Sequence, residues 1–398
     1  MLPRRKDLYN IPGWHTRRRL VVIESDDWGS IRTPSTEAYN NLLSQGIRVD
    51  RDPYCRYDSL ATPSDLSNLF EVLHAVKDSN GNPAVLTANC VTANPVFEKI
   101  EQSGFNKYFF EPFPDTLQRD ALHSRSFALW KEGMAMGVFH PQLHGREHLN
   151  VQKWLRALRS AEAATLAAFK VGSFGLTQIA APSIKEYYMG AFNSSLPEDT
   201  ARYAAIINEG ADMFQKLFDY RSESFIATTY EWHPDLEPHL SAAGVKYLQG
   251  TVCQKIPIGN DEGVTMHRRC FQGRRSSHGL IYLMRNCLFE PSLRPNIDSV
   301  DQCLQHIQTA FRWGKAANIC THRVNFIGSI DHRNTDRTLP AFRTLLQEIT
   351  KRWPDCEFVT SDQLGHIIQG KSLEQPSSFQ NRLTQSHDYL GCHYQLEQ

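Results

Sequence analysis

The sequence predicts an α/β fold, a deformed (β/α) barrel of seven or eight mostly parallel strands. The first observation behind this prediction is that short apolar runs alternate with amphipathic helical stripes along most of the chain. The second is that this βαβα order implies right-handed crossovers and therefore a parallel sheet. The third is length, because seven or eight such strands in 398 residues favour closure of the sheet into a barrel.

Each predicted element has its own local signal. The apolar run 20–24 is the first strand, and a helix follows Thr62, Pro63 and Asp65, which provide an N-cap, a proline at the first helical position and an acid in the first turn. Gly244 ends a later short helix. Further strands are predicted at 84–87, 138–144, 225–227, 245–248, 319–320 and 358–360. Further helices are predicted after residue 148 and at 203–218, 235–243, 300–311 and 339–353.

We expect residues 1–370 to form a single barrel-like catalytic domain and residues 371–398 to form a polar C-terminal tail. Barrel folds reach this size as one unit with a large buried core. The stretch from about residue 250 to 277 interrupts the alternation of strands and helices, and we expect it to border the substrate.

Composition and charge exclude several classes of protein. The formal net charge is +0 and 41% of the residues are hydrophobic, so neither nucleic-acid binding nor disorder is expected. No apolar run approaches the roughly 20 residues of a membrane span, and no signal-like stretch follows the basic residues 4–6, so we expect a cytoplasmic protein. The 9 cysteines include no Cys-x-x-Cys pair, which argues against a disulfide framework and a zinc ribbon.

Two predicted strands end in side chains that suit a metal hydrolase. The first strand runs into Asp26 and Asp27, and a later strand ends at His144, with His148 just before the next helix. Both imidazoles can turn toward one point, and a borderline metal such as zinc accepts imidazole and carboxylate ligands. Either aspartate completes a His-His-Asp set and leaves the other as a general base. The alternatives are a helix-capping Asp pair and a chance His-x-x-x-His pair among 16 histidines.

These motifs resemble those of the polysaccharide deacetylase family, the NodB-homology carbohydrate esterases of the family 4 type. Asp26-Asp27-Trp28-Gly29 is similar to the family's first motif, Thr-Phe-Asp-Asp-Gly, and the histidine pair is similar to its second motif, His-x-x-x-His. The resemblance implies that Asp26 is the catalytic base and that Asp27, His144 and His148 bind the metal. The implied cofactor is a divalent transition metal, with Zn²⁺ the first candidate.

The family also has a late Leu-x-His motif whose histidine is a general acid. In this chain His322 follows a predicted strand at the corresponding position. The family's third motif, Arg-x-x-Pro-Tyr, should fall within 224–232, where no arginine is present. This departure marks a divergent member, and we expect either Arg285 or Arg323 to orient the base instead. For each arginine, a surface or ion-pairing role is the alternative.

Three aromatic residues near strand ends are candidates for stacking on a sugar. They are Trp28, Tyr230 and Trp232, and core packing is an equal alternative for each of them.

The sequence therefore predicts a metal-dependent hydrolase that removes an acyl group, typically acetyl, from a nitrogen or oxygen of a sugar or polysaccharide. One alternative is a glycoside hydrolase that uses Asp26 with Glu231 or Glu290 as its carboxylate pair. A second alternative is a catalytically inactive barrel that only binds glycan, which the missing third-motif arginine favours.

Overall fold

The computed structural model describes residues 10–194, 196–259 and 265–371 of the chain. The strands are β1 (Arg19–Trp28), β2 (Leu86–Val91), β3 (Ala93–Pro95), β4 (Phe110–Pro112), β5 (Phe139–Gly145), β6 (Ser224–Phe225), β7 (Tyr247–Gly250), β8 (Cys253–Pro257), β9 (Thr265–Arg269), β10 (Ile281–Met284), β11 (Cys287–Leu288), β12 (Ala317–His322) and β13 (Cys356–Phe358). The C-terminal tail predicted at 371–398 lies outside the described residues from 372 onward.

The helices lie between the strands, as the predicted βαβα order requires. They are α1 (Thr36–Ser44), α2 (Pro53–Tyr57), α3 (Pro63–His74), α4 (Phe97–Gln102), α5 (Phe113–Gln118), α6 (Ser126–Ala135), α7 (Val151–Arg159), α8 (Ala163–Lys170), α9 (Pro197–Phe218), α10 (Glu237–Ala242), α11 (Ser299–Arg312), α12 (Arg333–Arg352) and α13 (Ser361–Ile368). Among the described residues, none of these helices is both long and apolar enough to cross a membrane.

One parallel sheet forms the centre of the molecule. Its strand order is β10-β7-β6-β5-β2-β1-β12-β11, and β13 pairs with the start of β1. Every pairing within this sheet is parallel. The carboxyl ends of the strands therefore meet at one end of the sheet, where ligands bind in parallel α/β folds.

The two edges of this sheet are consecutive segments of chain. Only Arg285 and Asn286 separate β10 from β11. The backbone N–H of Arg285 donates to Gly250 of β7 at 2.8 Å, and that of Asn286 donates to Asn318 of β12 at 3.2 Å. One split strand thus joins both neighbours, so the order of strands returns on itself and confirms the deformed (β/α) barrel. The pairing at this closure is short, because β11 has only two residues paired with β12.

Strand β1 shows how the barrel interior is filled. Leu20 and Val22 pack with Ile281 and Leu283 of β10 in one buried cluster. Because β1 and β10 are not neighbours in the sheet, this contact crosses the barrel interior. Alternation along the strand then places residues 24 and 26 on the same inner face, nearer the carboxyl end. The interior is therefore apolar at one end and carries acidic side chains at the other.

Local signals in the sequence set the starts of the helices that flank the site. Thr62 and Asp65 form a capping box at the start of α3, with Thr62 Oγ1 accepting from the Asp65 backbone N–H at 3.1 Å. The side chain of Asn150 caps α7 by accepting from the backbone N–H of Lys153 at 3.2 Å. The predicted excursion at 250–277 contains the antiparallel hairpin of β8 and β9, and residues 260–264 within it lie outside the described part of the chain.

Candidate active site

The end of β1 is irregular, and the irregularity separates the two neighbouring aspartates. The pairing of β1 with β2 shifts register between Ser25 and Trp28, and Asp27 has a φ of 74°. A bulge re-aims side chains, and a left-handed φ at a residue other than glycine stores about 1–3 kcal/mol of strain, which is typical of functional sites. Asp26 consequently faces Arg285 across the barrel, whereas Asp27 faces the histidines at the end of β5.

Asp27, His144 and His148 converge in a buried cluster. The Asp27 Oδ1 atom lies 3.1 Å from His148 Nε2 and 3.6 Å from His144 Nε2. One potential ligand atom from each residue lies within 4.8 Å of those of the other two. His144 Nδ1 lies 2.9 Å from the carbonyl oxygen of Ile226, and donation to this carbonyl places the free electron pair of the ring on Nε2, which faces Asp27.

This cluster fits a metal ion by the state of its donor atoms. His144 Nε2, the ring nitrogen that faces Asp27, is buried and has no hydrogen-bond partner among the described residues. Burial lowers the pKa of His148 to about 4, so its ring is neutral at pH 7, the form that ligates metal. Two imidazoles and one carboxylate match the ligand set of a catalytic zinc site.

Arg32, which the sequence did not single out, also contacts this cluster. Its Nη2 lies 3.3 Å from Asp27 Oδ2, and its guanidinium stands over the ring of Tyr54 at 5.2 Å. Burial alone would raise the pKa of the Asp27 carboxyl, but Arg32 and His148 outweigh it and hold that pKa well below its usual value. Asp27 is therefore ionised, and its two oxygens have separate partners.

Asp26 is held on the inner face of the barrel by Arg285. Nη1 of Arg285 donates to Asp26 Oδ2 at 2.6 Å, and Nη2 donates to Oδ1 at 2.7 Å. Asn89 donates to the same Oδ1 at 2.8 Å. Burial would raise the pKa of Asp26, but the charge and hydrogen bonds of Arg285 lower it to about 2. Asp26 is thus a fixed carboxylate at neutral pH.

The same guanidinium reaches a second acid that the sequence analysis missed. Nε of Arg285 donates to Glu24 Oε2 at 2.7 Å, and Ser361 donates to the other Glu24 oxygen at 2.7 Å. Glu24 is fully buried. Its position two residues before Asp26, in a strand whose inner face is otherwise apolar, was a signal that could have identified it.

Amide side chains complete the polar layer beneath Asp26. Asn89 and Gln249 exchange two hydrogen bonds of 2.8 Å, and Gln249 also donates to Ser224 at 2.9 Å. These residues come from three separate strands, so their convergence depends on the barrel and not on sequence spacing.

His322 ends β12 directly beside Asp26, with which it is in register. Its Nδ1 lies 2.6 Å from Glu290 Oε1, and its Nε2 lies 3.8 Å from Asp26 Oδ2. Burial alone would lower the pKa of His322. The negative charges of Glu290 and, second, Asp26 outweigh this effect and raise the pKa well above its usual value. Asn325 donates to the other Glu290 oxygen at 2.7 Å, which fixes this carboxylate. The His322 ring is therefore held in its charged form near Asp26.

The structure distinguishes the two arginines that the sequence left open. Arg323 is fully buried and donates to both oxygens of Asp58 at 2.9 Å. The carboxylate that its guanidinium pairs with is that of Asp58 and not that of Asp26. The expectation that Arg323 orients the base is therefore corrected to an ion pair with Asp58, whereas Arg285 contacts Asp26 directly.

Two of the three aromatic candidates belong to the core. Trp28 is 1% exposed and packs edge-on against Phe139, with ring centroids 5.0 Å apart. Trp232 is 2% exposed and lies in the same core cluster. Neither ring is open to a ligand, so the predicted stacking role is wrong for both. Tyr230 lies at the site, where its hydroxyl accepts from Arg285 Nη1 at 2.9 Å, and its φ of 61° is strained.

Comparison with known proteins gives likenesses of fold. No protein-family model matches the chain, and no curated protein matches its sequence. A "probable polysaccharide deacetylase" from Pseudomonas aeruginosa PAO1 is 10% identical, with a TM-score of 0.45 over 94% of this chain and 100% of that one. A family 4 acetyl xylan esterase from Clostridium thermocellum, solved in complex with a cobalt ion, is 12% identical, with a TM-score of 0.34 over 89% and 94%.

The 4-α-glucanotransferase of Thermococcus litoralis is also similar, at 10% identity and a TM-score of 0.44. The match covers 87% of this chain but only 40% of that protein, so this chain spans less than half of its length. In fold, the chain is a deformed (β/α) barrel, and polysaccharide deacetylases are among the solved structures to which it is similar.

Proposed function

We propose that the protein is a metal-dependent hydrolase that removes an acyl group, in the first instance acetyl, from a nitrogen or oxygen of a sugar. The observation that carries this proposal is the buried convergence of Asp27, His144 and His148 directly beside Asp26. A metal-ligand set next to an ionised carboxylate is the arrangement that metal-dependent hydrolysis of an amide or ester uses.

Asp27, His144 and His148 would hold the ion. Three protein ligands leave at least one coordination position free, as in catalytic zinc sites. When bound there, a divalent ion such as Zn²⁺ supplies Lewis acidity, which polarises the acyl carbonyl and lowers the pKa of water.

Asp26 is the proposed base. Its carboxylate offers about four lone-pair sites, of which Arg285 and Asn89 occupy three. The remaining site can accept a proton from an attacking water. Arg285 also fixes the plane of the carboxylate, and a positioned base of this kind contributes about 10²–10⁴-fold to the rate.

His322 is the proposed acid, since its raised pKa keeps the ring protonated beside Asp26. Its Nε2–H can be given to the leaving nitrogen or oxygen as the bond to the acyl carbon breaks. Glu290 holds the opposite nitrogen, Nδ1, and so directs Nε2 toward Asp26.

Glycosidic cleavage has less support from the same residues. Glu290 is engaged by His322 and Asn325, and Glu231 pairs with Lys255 at 3.4 Å. Asp26, with a pKa of about 2, is ionised and cannot serve as the acid of a carboxylic pair. The missing third-motif arginine favours an inactive glycan-binding barrel, but this argument is weakened because Arg285 donates to Asp26 through two hydrogen bonds.

The decisive experiment measures metal content and turnover together. We expect the purified chain to bind about one divalent ion and to release acetate from 4-nitrophenyl acetate and from an N-acetylated sugar oligomer only when the metal is present. A correctly folded chain that takes up no metal after incubation with Zn²⁺, Co²⁺ or Ni²⁺ would overturn the proposal.

A further inference from the structure

A cavity of about 620 Å³ adjoins the candidate active site. Tyr230, Arg285 and His322 line the end nearest the site, and the cavity extends past the split strand formed by β10 and β11. Asp27, His144 and His148 do not line it. The cavity is therefore reached from the side of the proposed acid and not from the side of the proposed metal ligands.

Strain and position at Tyr230 indicate that this end of the cavity is built for a ligand. Thr229 and Tyr230 both have left-handed φ angles, 57° and 61°. Such strain persists only where the surroundings enforce it, typically at functional sites. The enforced conformation brings the phenol to Arg285 and Cys320, on the wall between the cavity and Asp26.

The volume indicates how large the bound group is. Cavities of roughly 300–1,000 Å³ hold one drug-sized molecule. An acetyl group fills only a small part of 620 Å³. The cavity therefore suits the part of the substrate that remains after the acyl group is removed, and its size matches one substituted sugar.

The charges on the wall favour an anion. Glu290 is the one acidic residue among those that line the cavity, and its oxygens are already bound to His322 and Asn325. Arg294 is exposed, and its guanidinium has no hydrogen-bond or ion-pair partner within the described ranges of the chain. Lys315 is buried and donates to neutral backbone carbonyls, those of Pro12 and Trp14. Two cations on the wall thus lack a carboxylate partner.

The rest of the wall is mixed, as a sugar requires. Val252, Met284 and Leu288 present apolar surface. Gln272 is 6% exposed, and its Oε1 accepts from the Met284 backbone N–H at 2.6 Å. Its Nε2 has no partner among the described residues, so this buried donor is available to a ligand.

We propose that this cavity binds the leaving-group half of the substrate, and that this half is a single sugar carrying a negatively charged substituent. The term leaving group rests on the proposed function, because His322 must protonate the departing nitrogen or oxygen. Arg294 would pair with the phosphate or carboxylate of the sugar, since guanidinium groups bind both in a bidentate manner.

Binding is measured first, without turnover. Calorimetric titration of the full chain in excess EDTA compares N-acetylglucosamine 1-phosphate, N-acetylmuramic acid, neutral N-acetylglucosamine and its neutral tetramer. We expect at least one of the two anionic sugars to bind about tenfold or more tightly than either neutral probe, as for one added charge-assisted contact. Comparison of the phosphate with the carboxylate identifies the preferred anion. Equal affinity for charged and neutral sugars would overturn the inference.

Variants of Arg294 and Val252 then test where the sugar and its charged substituent bind. Arg294→Ala should abolish the preference for the anionic sugar, whereas Arg312→Ala, at an exposed arginine that ends α11 and does not line the cavity, should leave it intact. Val252→Trp should fill the cavity and weaken all sugars about tenfold or more, whereas Ile179→Trp, at an exposed site outside the cavity, should not. A full preference in Arg294→Ala would contradict the assignment.

Turnover in the presence of metal separates this inference from the proposed function. Hydrolysis of neutral and anionic sugars with equal kcat/KM would overturn the inference and leave the hydrolase standing. Selective binding of the anionic sugar without hydrolysis of any acyl substrate would overturn the hydrolase and, with it, the leaving-group role of the cavity. We expect hydrolysis with a kcat/KM for the preferred anionic sugar about tenfold or more above that for the neutral sugar.

Discussion

Arg285 holds the carboxylate of Asp26 through two hydrogen bonds, at 2.6 Å to Oδ2 and 2.7 Å to Oδ1. The two residues are 259 positions apart in sequence. Arg285 stands at the interruption between β10 and β11, where the split strand turns from one neighbour to the other. The irregularity that closes the barrel therefore also provides the cation that orients the proposed base.

Arg285 and Arg323 offer a matched pair of variants. Each is buried and paired with buried carboxylates, and breaking such a pair costs about 3–5 kcal/mol when one partner is removed. We expect Arg285→Lys and Arg323→Lys to lower the free energy of unfolding by less than this, because the charge is kept. Only Arg285→Lys should lower kcat strongly, since lysine cannot hold Asp26 through two bonds. Urea unfolding and turnover at one temperature check both; equal losses of kcat would contradict the assignment of Arg285.

Metal binding should depend on His144 and His148 and not on His140, which lies in the same strand as His144. We expect His144→Ala and His148→Ala to lose the divalent ion while keeping the fold, because each removes one of three ligands. His140→Ala is the control, since His140 lies at the start of β5 and pairs with Asp362 at 3.1 Å, away from the cluster. Metal analysis and circular dichroism are the measurements. Retention of a full equivalent of metal in both site variants would exclude this ligand set.

The two neighbouring aspartates should have separable roles. Asp26→Asn should keep the metal and lose about 10²–10⁴-fold in turnover, the contribution of a positioned base. Asp27→Asn should weaken metal binding, because its Oδ1 faces both imidazoles. Parallel measurement of metal affinity and kcat distinguishes the two. The reverse pattern would exchange the roles, and equal loss of metal in both would indicate shared ligation.

Much of the fold could be predicted from sequence because its signals are local. Apolar runs mark the strands, and the capping box at Thr62 and Asp65 marks the start of α3. The strand ends carrying Asp26, His144 and His322 were also predictable, because parallel strands deliver their carboxyl ends to one edge of the sheet. The geometry brings these three residues together in the candidate site.

Other parts of the site depend on tertiary structure. Arg285 and Arg323 both lie near strand ends, and only the split of the closing strand decides which of them faces Asp26. Arg32 reaches Asp27 from a loop, and no spacing in the sequence indicates this contact. The register shift at the end of β1 turns the ring of Trp28 outward into the core. The regular alternation of side chains along a strand does not predict this orientation.

The pair of His322 and Glu290 predicts a dependence on leaving group and on pH. His322→Ala should slow hydrolysis of an acetamido sugar far more than that of an aryl acetate, because only the poor leaving group needs a proton, and metal content should not change. A similar loss on both substrates, or a large fall in Tm alone, would indicate that His322 has only a structural role.

The raised pKa of His322 determines how the stability of the fold and kcat should depend on pH. Glu290 raises the pKa of His322, so the pair stabilises the fold fully below the ordinary histidine pKa of about 6.5, and this contribution is lost as pH rises through the raised value. For the same reason the alkaline limb of kcat should report the deprotonation of His322. Glu290→Gln removes the negative charge at 2.6 Å and should move that limb to lower pH, while the acidic limb stays in place. Profiles of kcat for wild type and Glu290→Gln test this, and coincident alkaline limbs would show that another group donates the proton.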